Sequence, residues 1–318
     1  MIDAPLQYLT SAGQRADAVV PLMWFTIVVS VAVCLIIAVI LWLAVVRSTE
    51  TGRESASVPV ERGLSGLNWI TIGLVLSAIP LLVSVFWTMA VLAQIAGPPA
   101  HPALILDVTG KQFWWEVTYN GASPSDRFTT ANEIHIPVGV PVLVRLNGGD
   151  VIHSFWVPLL SGKTDAIPGQ HNQMWMQAGA PGRFRGQCAE FCGMQHARMA
   201  FEVVAEPRDQ FERWRTRQLQ PAPQPVTVGQ KRGLEVVEFR CGLCHAVRGT
   251  DARSGLGPDL THLMSRRLIA SGALPNTPGA LAGWVQNPQG VKPGSQMPDQ
   301  YLSGPQLQDV GAYLATLK

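Results

Sequence analysis

From Gly186 to Met199 the chain reads GQCAEFCGMQHARM, which puts Cys188, Cys192, His196 and Met199 within twelve residues. Two thiolates, an imidazole and a thioether form a soft donor set, better suited to copper than to zinc, magnesium or calcium. A mononuclear blue-copper site uses a single cysteine with two histidines and an axial methionine. Here there are two cysteines, enough for both to bridge a pair of copper ions. The second metal then needs its own histidine, and His153 in DVIHSFWVP is the best placed, following a strand-like run among apolar residues. Bridging thiolates let two coppers share one unpaired electron, and they spread the bond-length changes of reduction over several bonds, which favours fast electron transfer. On these residues a structural zinc site and a disulfide remain open, although zinc knuckles use shorter cysteine spacing and no methionine.

A second constellation lies at residues 241–245, CGLCH. A Cys-x-x-Cys pair alone could be redox-active or bind zinc. The histidine directly after it makes the segment a covalent haem c attachment motif, with Cys241 and Cys244 forming thioethers and His245 ligating the iron. Met297, in the proline-flanked KPGSQMPDQ loop, is the candidate for the second axial position. Its rival Met264 sits in a run of helical character and reads as packing. A Met/His pair raises the haem potential, as an upstream electron donor requires.

These residues need elements to hold them. The 318-residue chain is 47% hydrophobic but only 14% charged, against about 25% charged in soluble domains. Two uncharged apolar stretches, about 21–46 and 67–96, account for the deficit. Each exceeds the roughly 20 residues that cross a hydrocarbon core as helix, and Pro80 predicts a kink in the second. The first starts too far in, and runs too long, for a signal peptide, so both are expected to be retained as a hairpin. Cys34, in the first, reads as a small packing residue. Arg47, Arg53 and Arg62 lie between the stretches, against Arg15 alone before them. The positive-inside rule then puts the connecting loop in the cytoplasm and both ends outside. A net charge of +2 implies no nucleic-acid partner.

After Pro98, Pro99 and Pro102 the pattern changes to short runs rich in Val, Ile, Phe and Trp, such as EIHIPVGVPVLVRL and MAFEVVAE, broken by Gly, Asn and Pro. That pattern predicts an antiparallel β-sandwich or barrel to about Glu206. Residues 207–227 read as a charged, then Pro/Gln-rich linker with a helical turn or two. VGQKRGLEVVEF and SGPQLQDVGAYLATLK have helical periodicity and predict a small all-α domain over 228–318.

DVIHSFWVP, KTDAIPG and GQCAEFCGMQHARM together resemble subunit II of cytochrome c oxidases, and the hairpin followed by a strand-rich domain is similar to that family's architecture over about residues 20–206. The resemblance implies a transmembrane hairpin (1–100), an all-β cupredoxin domain with the dinuclear copper A centre (101–206), and, behind the 207–227 linker, a class I cytochrome c domain (228–318) as in caa3-type oxidases. It implies that Cys188 and Cys192 bridge, that His153 and His196 each bind one copper, and that Met199 and the Glu190 carbonyl are weak ligands. The Glu190 carboxylate would face subunit I and help bind magnesium there. Asp165 of KTDAIPG is assigned a structural role at the same interface.

GLGPDL (255–260) resembles the loop whose proline, here Pro258, backs the axial histidine of class I cytochromes c. Implied partners are subunits I and III, the membrane, and a donor cytochrome c or respiratory complex. The implied location is the outer face of a bacterial inner membrane.

The chain also departs from the family. The aromatic run that receives electrons begins with tryptophan in the family and with phenylalanine here: Phe113, Trp114, Trp115. Gln170 follows the Pro-Gly of the Thr-Asp motif in place of arginine, and the only acid near the second helix's start, Glu61, lies too early for a proton-channel role. A tethered haem accounts for the missing tryptophan, since electrons then need no separate cytochrome docked at the usual place. His101, His135, His171 and His262 read as surface or hydrogen-bonding residues. A quinol-oxidase subunit would lack the copper ligands, and a nitrous-oxide reductase would need a large further domain. A membrane-anchored copper-delivery protein with a cytochrome domain is the alternative of a different class.

Overall fold

The computed structural model describes residues 6–50, 64–97 and 102–318, so Arg53, Glu61, Arg62, Pro98, Pro99 and His101 lie outside the described residues. The chain divides into two compact units, Asp17–Ala96 and the remainder.

The first unit is helical. Helix α1 spans Gln14–Glu50 and α2 spans Leu64–Ile95. Both run past the apolar stretches that announce them, α1 at both ends, because a helix continues through polar residues once its backbone ladder is set. At about 1.5 Å per residue each comfortably exceeds a hydrocarbon core of about 30 Å. The Phe25 and Trp87 rings meet at 5.5 Å, joining the first half of α1 to the last part of α2, as an antiparallel hairpin requires. Cys34 is exposed on α1 rather than packed within the hairpin.

The second unit begins with a sandwich of two five-stranded sheets. One has the order β3 (Phe128–Ala131), β2 (Trp114–Tyr119), β1 (Leu104–Lys111), β5 (Val142–Gly148), β8 (Asn172–Met176). The other runs β4 (Glu133–Pro137), β10 (Ala200–Glu206), β9 (Gly182–Cys188), β6 (His153–Trp156), β7 (Thr164–Ala166). Along β1 alternate residues are buried, the period-two pattern of a half-buried strand. Pairing is mixed rather than wholly antiparallel: β1 runs parallel to β5, and β4 parallel to β10. Trp115 is fully buried at the centre, with Phe155 and Phe201 edge-on at 5.4 and 5.6 Å.

Helix α3, Arg208–Gln218, replaces most of the expected linker. Phe211 and Trp214, three residues apart on one face, are buried in the sandwich core. Trp214 stacks flat on His135 at 4.1 Å and meets Tyr119 edge-on. Burying two aromatic side chains more than offsets the propensity of a charged segment to stay solvated.

The C-terminal part is built from α4 (Val228–Phe239), α5 (Pro278–Gln286), the short α6 (Pro288–Val291) and α7 (Gly304–Leu314). Thr227 and Ser303 start α4 and α7 with full capping boxes, completed by Gln230 and Gln306. The two helices cross where Gly233 lets the backbones approach; a Cβ there would sit 2.0 Å from the Asp309 carbonyl. One small β element interrupts the helices, a pair of two-residue strands, β11 (Leu268–Ile269) and β12 (Leu274–Pro275).

Candidate metal centre and haem site

Strands β9 and β10 are antiparallel neighbours, and the loop joining them carries Cys192, His196 and Met199 after Cys188 at the end of β9. The loop is held in its own shape: the Cys188 N–H donates to the Met199 carbonyl and the His196 N–H to Gly193. Gly193 adopts φ +126°, where a Cβ would meet the Gln112 amide at 2.9 Å. His153, at the start of β6, comes in from the side. Its ring lies edge-on to Trp115 and fills the space left by Gly110, where a Cβ would be 2.7 Å from the imidazole.

The donor atoms form two overlapping groups. Cys188 Sγ lies 3.9 Å from His153 Nδ1 and 3.2 Å from the Glu190 carbonyl oxygen. Cys192 Sγ lies 3.7 Å from His196 Nδ1 and 3.8 Å from Met199 Sδ. The two sulfurs are 3.9 Å apart and both thiols are free, unlike a disulfide with its S–S distance near 2.05 Å. Cys188, Cys192, Met199 and His153 are all buried, whereas Glu190 is exposed. Each sulfur therefore has a private imidazole and a private weak donor, an arrangement that fits two metals sharing two thiolates and exceeds what one tetrahedral zinc would use.

Electrostatics prepare the site. The Asp150 carboxylate accepts a 2.8 Å bond from His153 Nε2, which leaves Nδ1 as the free donor facing sulfur. Burial would lower the His153 pKa, but its bonds to Cys188 and Asp150 raise it. The Cys192 thiol, helped by His153 and two backbone groups and opposed by burial, pulls Cys188 down to about 3, while Cys188 and burial push Cys192 up. The lowered pKa favours the thiolate at Cys188, the form that binds metal.

The aromatic run is divided between two environments. Trp115 and Phe113 are buried in the sandwich core, Trp115 against His153, and Trp114 is half-buried under the Lys111 ammonium. Asp165 lies on β7 opposite Ser154, one strand from His153.

In the haem motif Cys241 and Cys244 are free thiols on a short 3-10 turn after α4, and burial pushes Cys241 up to about 11. His245 Nδ1 donates to the Pro258 carbonyl at 2.7 Å, which leaves Nε2 available to a haem iron, and burial lowers its pKa, favouring the neutral ring. Gly257 leaves room for that ring; a Cβ would lie 2.8 Å from it. Phe239, Leu243, Leu256 and Tyr301, which flank the motif and its candidate ligand loops in sequence, are all more than 70% exposed. Exposed apolar side chains near the motif suit contact with a flat hydrophobic macrocycle. Met297 is half-buried in a loop tied by Gln289, whose amide donates to the Met297 and Ser295 carbonyls. Met264 packs against the domain core.

The two domains touch. Ser271 Oγ donates to the Phe113 carbonyl at 2.7 Å, and Lys292 Nζ donates to the same oxygen at 3.0 Å. Gln195, beside His196, donates to the Pro293 carbonyl at 2.8 Å. Arg267 pairs with Glu202 at 2.6 Å. None of these partners was suggested by local spacing. Asp150 could have been, since it stands three residues before His153 in the same motif.

A family model for the periplasmic domain of cytochrome c oxidase subunit II matches residues 120–206, and a cytochrome c model matches residues 230–318. The cytochrome c oxidase subunit 2 of Alkalihalophilus pseudofirmus is 32% identical, over 98% of this chain and 91% of that protein. That of Bacillus sp. (strain PS3) is 33% identical over 77% and 71%, and that of Bacillus subtilis 28% identical over 98% and 92%. With its hairpin, its sandwich and its fused haem-motif domain, the chain belongs to the cytochrome c oxidase subunit II family and carries a cytochrome c domain at its C-terminus.

Proposed function

We propose that this chain is the electron-input subunit of a caa3-type haem–copper oxidase, taking electrons on its cytochrome c domain and passing them through its copper domain to subunit I, where oxygen is reduced. The observation that carries this reading is the paired donor set, in which Cys188 and Cys192 each face a separate histidine. When bound, a copper A pair and a covalent haem c would supply the one-electron carriers. Cys188 and Cys192 would bridge the metals, His153 and His196 would cap them, and Met199 and the Glu190 carbonyl would be the weak ligands. Asp150 orients His153, and Pro258 orients His245. Cys241 and Cys244 would hold the haem, with Met297 as the second axial ligand.

The exposed Glu190 carboxylate would face subunit I and contribute to a magnesium site there. The hairpin would anchor the chain in a bacterial inner membrane with both redox domains on the outer face, in contact with subunit I and with subunit III. A donor cytochrome c or respiratory complex would approach the exposed side of the haem domain. Copper delivery alone gives no role to the haem motif.

Rapid mixing of the assembled oxidase with reduced donor tests the order of events. The haem c absorbance should change first and the copper absorbance second, and a Cys241→Ala/Cys244→Ala variant should lose donor-driven copper reduction. Undiminished copper reduction in that variant would contradict the proposal.

A further inference from the structure

Several contacts between the two domains lie on the loops that carry Pro258 and Met297. Gly255, in the loop carrying Pro258, has its carbonyl 3.3 Å from Lys111 Nζ. Lys292 and Pro293, in the loop carrying Met297, reach the Phe113 carbonyl and the Gln195 amide. Val291, at the end of α6, accepts from the Arg198 guanidinium, on the copper loop. A third loop, between β11 and β12, brings Ser271 onto the Phe113 carbonyl and accepts the Ala200 N–H on its own carbonyl at 3.3 Å.

That third loop is costly to form. Ala270, Ser271 and Gly272 lie consecutively at φ 52°, 57° and 79°, and side-chain-bearing residues in the left-handed region are disfavoured. The conformation aims the hydroxyl and carbonyl of Ser271 at the copper domain, where the residue is 3% exposed. Lys292 is equally committed. It is 2% exposed, and burial together with the Arg198 charge lowers its pKa to about 7. A buried lysine and a strained loop sharing one carbonyl are features of a built contact rather than of two domains on a loose tether.

We propose that Ser271 and Lys292 are positioning residues that clamp the cytochrome domain onto the main chain of Phe113, with Gln195 joining the methionine loop to the copper loop. The clamp deepens the electron-input reading, on which it rests. It fixes the separation of the two redox sites and keeps the Phe113 surface occupied, so a soluble cytochrome does not reach the copper domain by that route. The aromatic position needs no exposed tryptophan because its partner is permanently seated.

The Ala200 amide reports on the clamp directly, since its acceptor lies across the interface. Hydrogen exchange on the assembled oxidase is to be compared between wild type and Ser271→Ala/Lys292→Met. Removing two donors from a buried acceptor should speed exchange at Ala200 by about tenfold or more, with copper and haem content unchanged. Transfer from haem to copper after rapid mixing should slow, while reduction of the haem by the donor stays as in wild type. Should the double variant lose its metals, Ser271→Ala alone is read in the same way. Wild-type exchange at Ala200 together with wild-type internal transfer in the metal-loaded variant would overturn the clamp. Failure of the electron-input reading looks different: copper reduction would persist without haem in the Cys241→Ala/Cys244→Ala variant.

Discussion

At the scale of single residues, the candidate copper site is oriented by a carboxylate, Asp150. Asp150 accepts from His153 Nε2 through one oxygen, and its two oxygens also take the N–H groups of Val151 and Gln112. The side chain therefore fixes both the imidazole and the start of the loop around it. Replacing such an orienting partner typically lowers metal affinity about 10–100-fold. Asp150→Ala should fall in that range by chelator competition, with the fold intact by circular dichroism; wild-type affinity would show that the imidazole is held by packing against Trp115 instead. The candidate ligands themselves were legible in the sequence because Cys188 to Met199 are contiguous and soft. As contacts of Phe113, Ser271 and Lys292 were not, since that partner is 158 and 179 residues away in sequence.

At the scale of elements, α3 shows how a segment can be charged by composition and still belong to a core. PRDQFERWRTRQ holds only Phe211 and Trp214 as large apolar residues, but their spacing puts both on one helical face, so the signal was present and was outweighed by the charges around it. Under Trp214 lies a titrating clasp. His135 bonds to Glu206 at 2.7 Å and to Glu133 at 3.1 Å. Burial opposes the charged ring, but the two carboxylates raise its pKa above 6.5. Glu133, against the same opposing burial, is held below 4.5 by His135 and the neighbouring Arg267 N–H and Arg183.

The signs follow from which form the fold prefers. The raised histidine stabilises fully below 6.5 and loses its contribution as pH rises through its folded value. The depressed glutamate stabilises above 4.5 and loses its contribution as pH falls through its folded value. The clasp is therefore strongest between 4.5 and 6.5. In thermal melts across pH, the wild type's advantage over His135→Gln should be largest in that window and shrink above it; an advantage that grows toward alkaline pH would contradict the assignment.

At the scale of the whole molecule, the order of parts was readable from the sequence: apolar helices, strand-rich domain, helical domain. Composition changes sharply at each junction, and each part has its own hydrophobic period. How the last two parts meet was not readable. A twenty-residue linker suggested a haem domain held nearby by tethering, whereas much of that segment is α3, packed on the sandwich, and its end is bonded into the cytochrome domain through Ala222 and Gln220. Docking depends on hydrogen bonds between loops, and these leave no periodic trace.

On the proposed function, one chain carries a thiolate-bridged copper pair and a covalent haem. Electron paramagnetic resonance of the oxidised full chain, purified without its partner subunits and with copper, zinc and iron quantified, tests it most directly. The expected spectrum has the hyperfine pattern of one electron shared by two equivalent coppers, beside a haem signal of equal amount. A mononuclear copper signal, or zinc in place of copper, would contradict it.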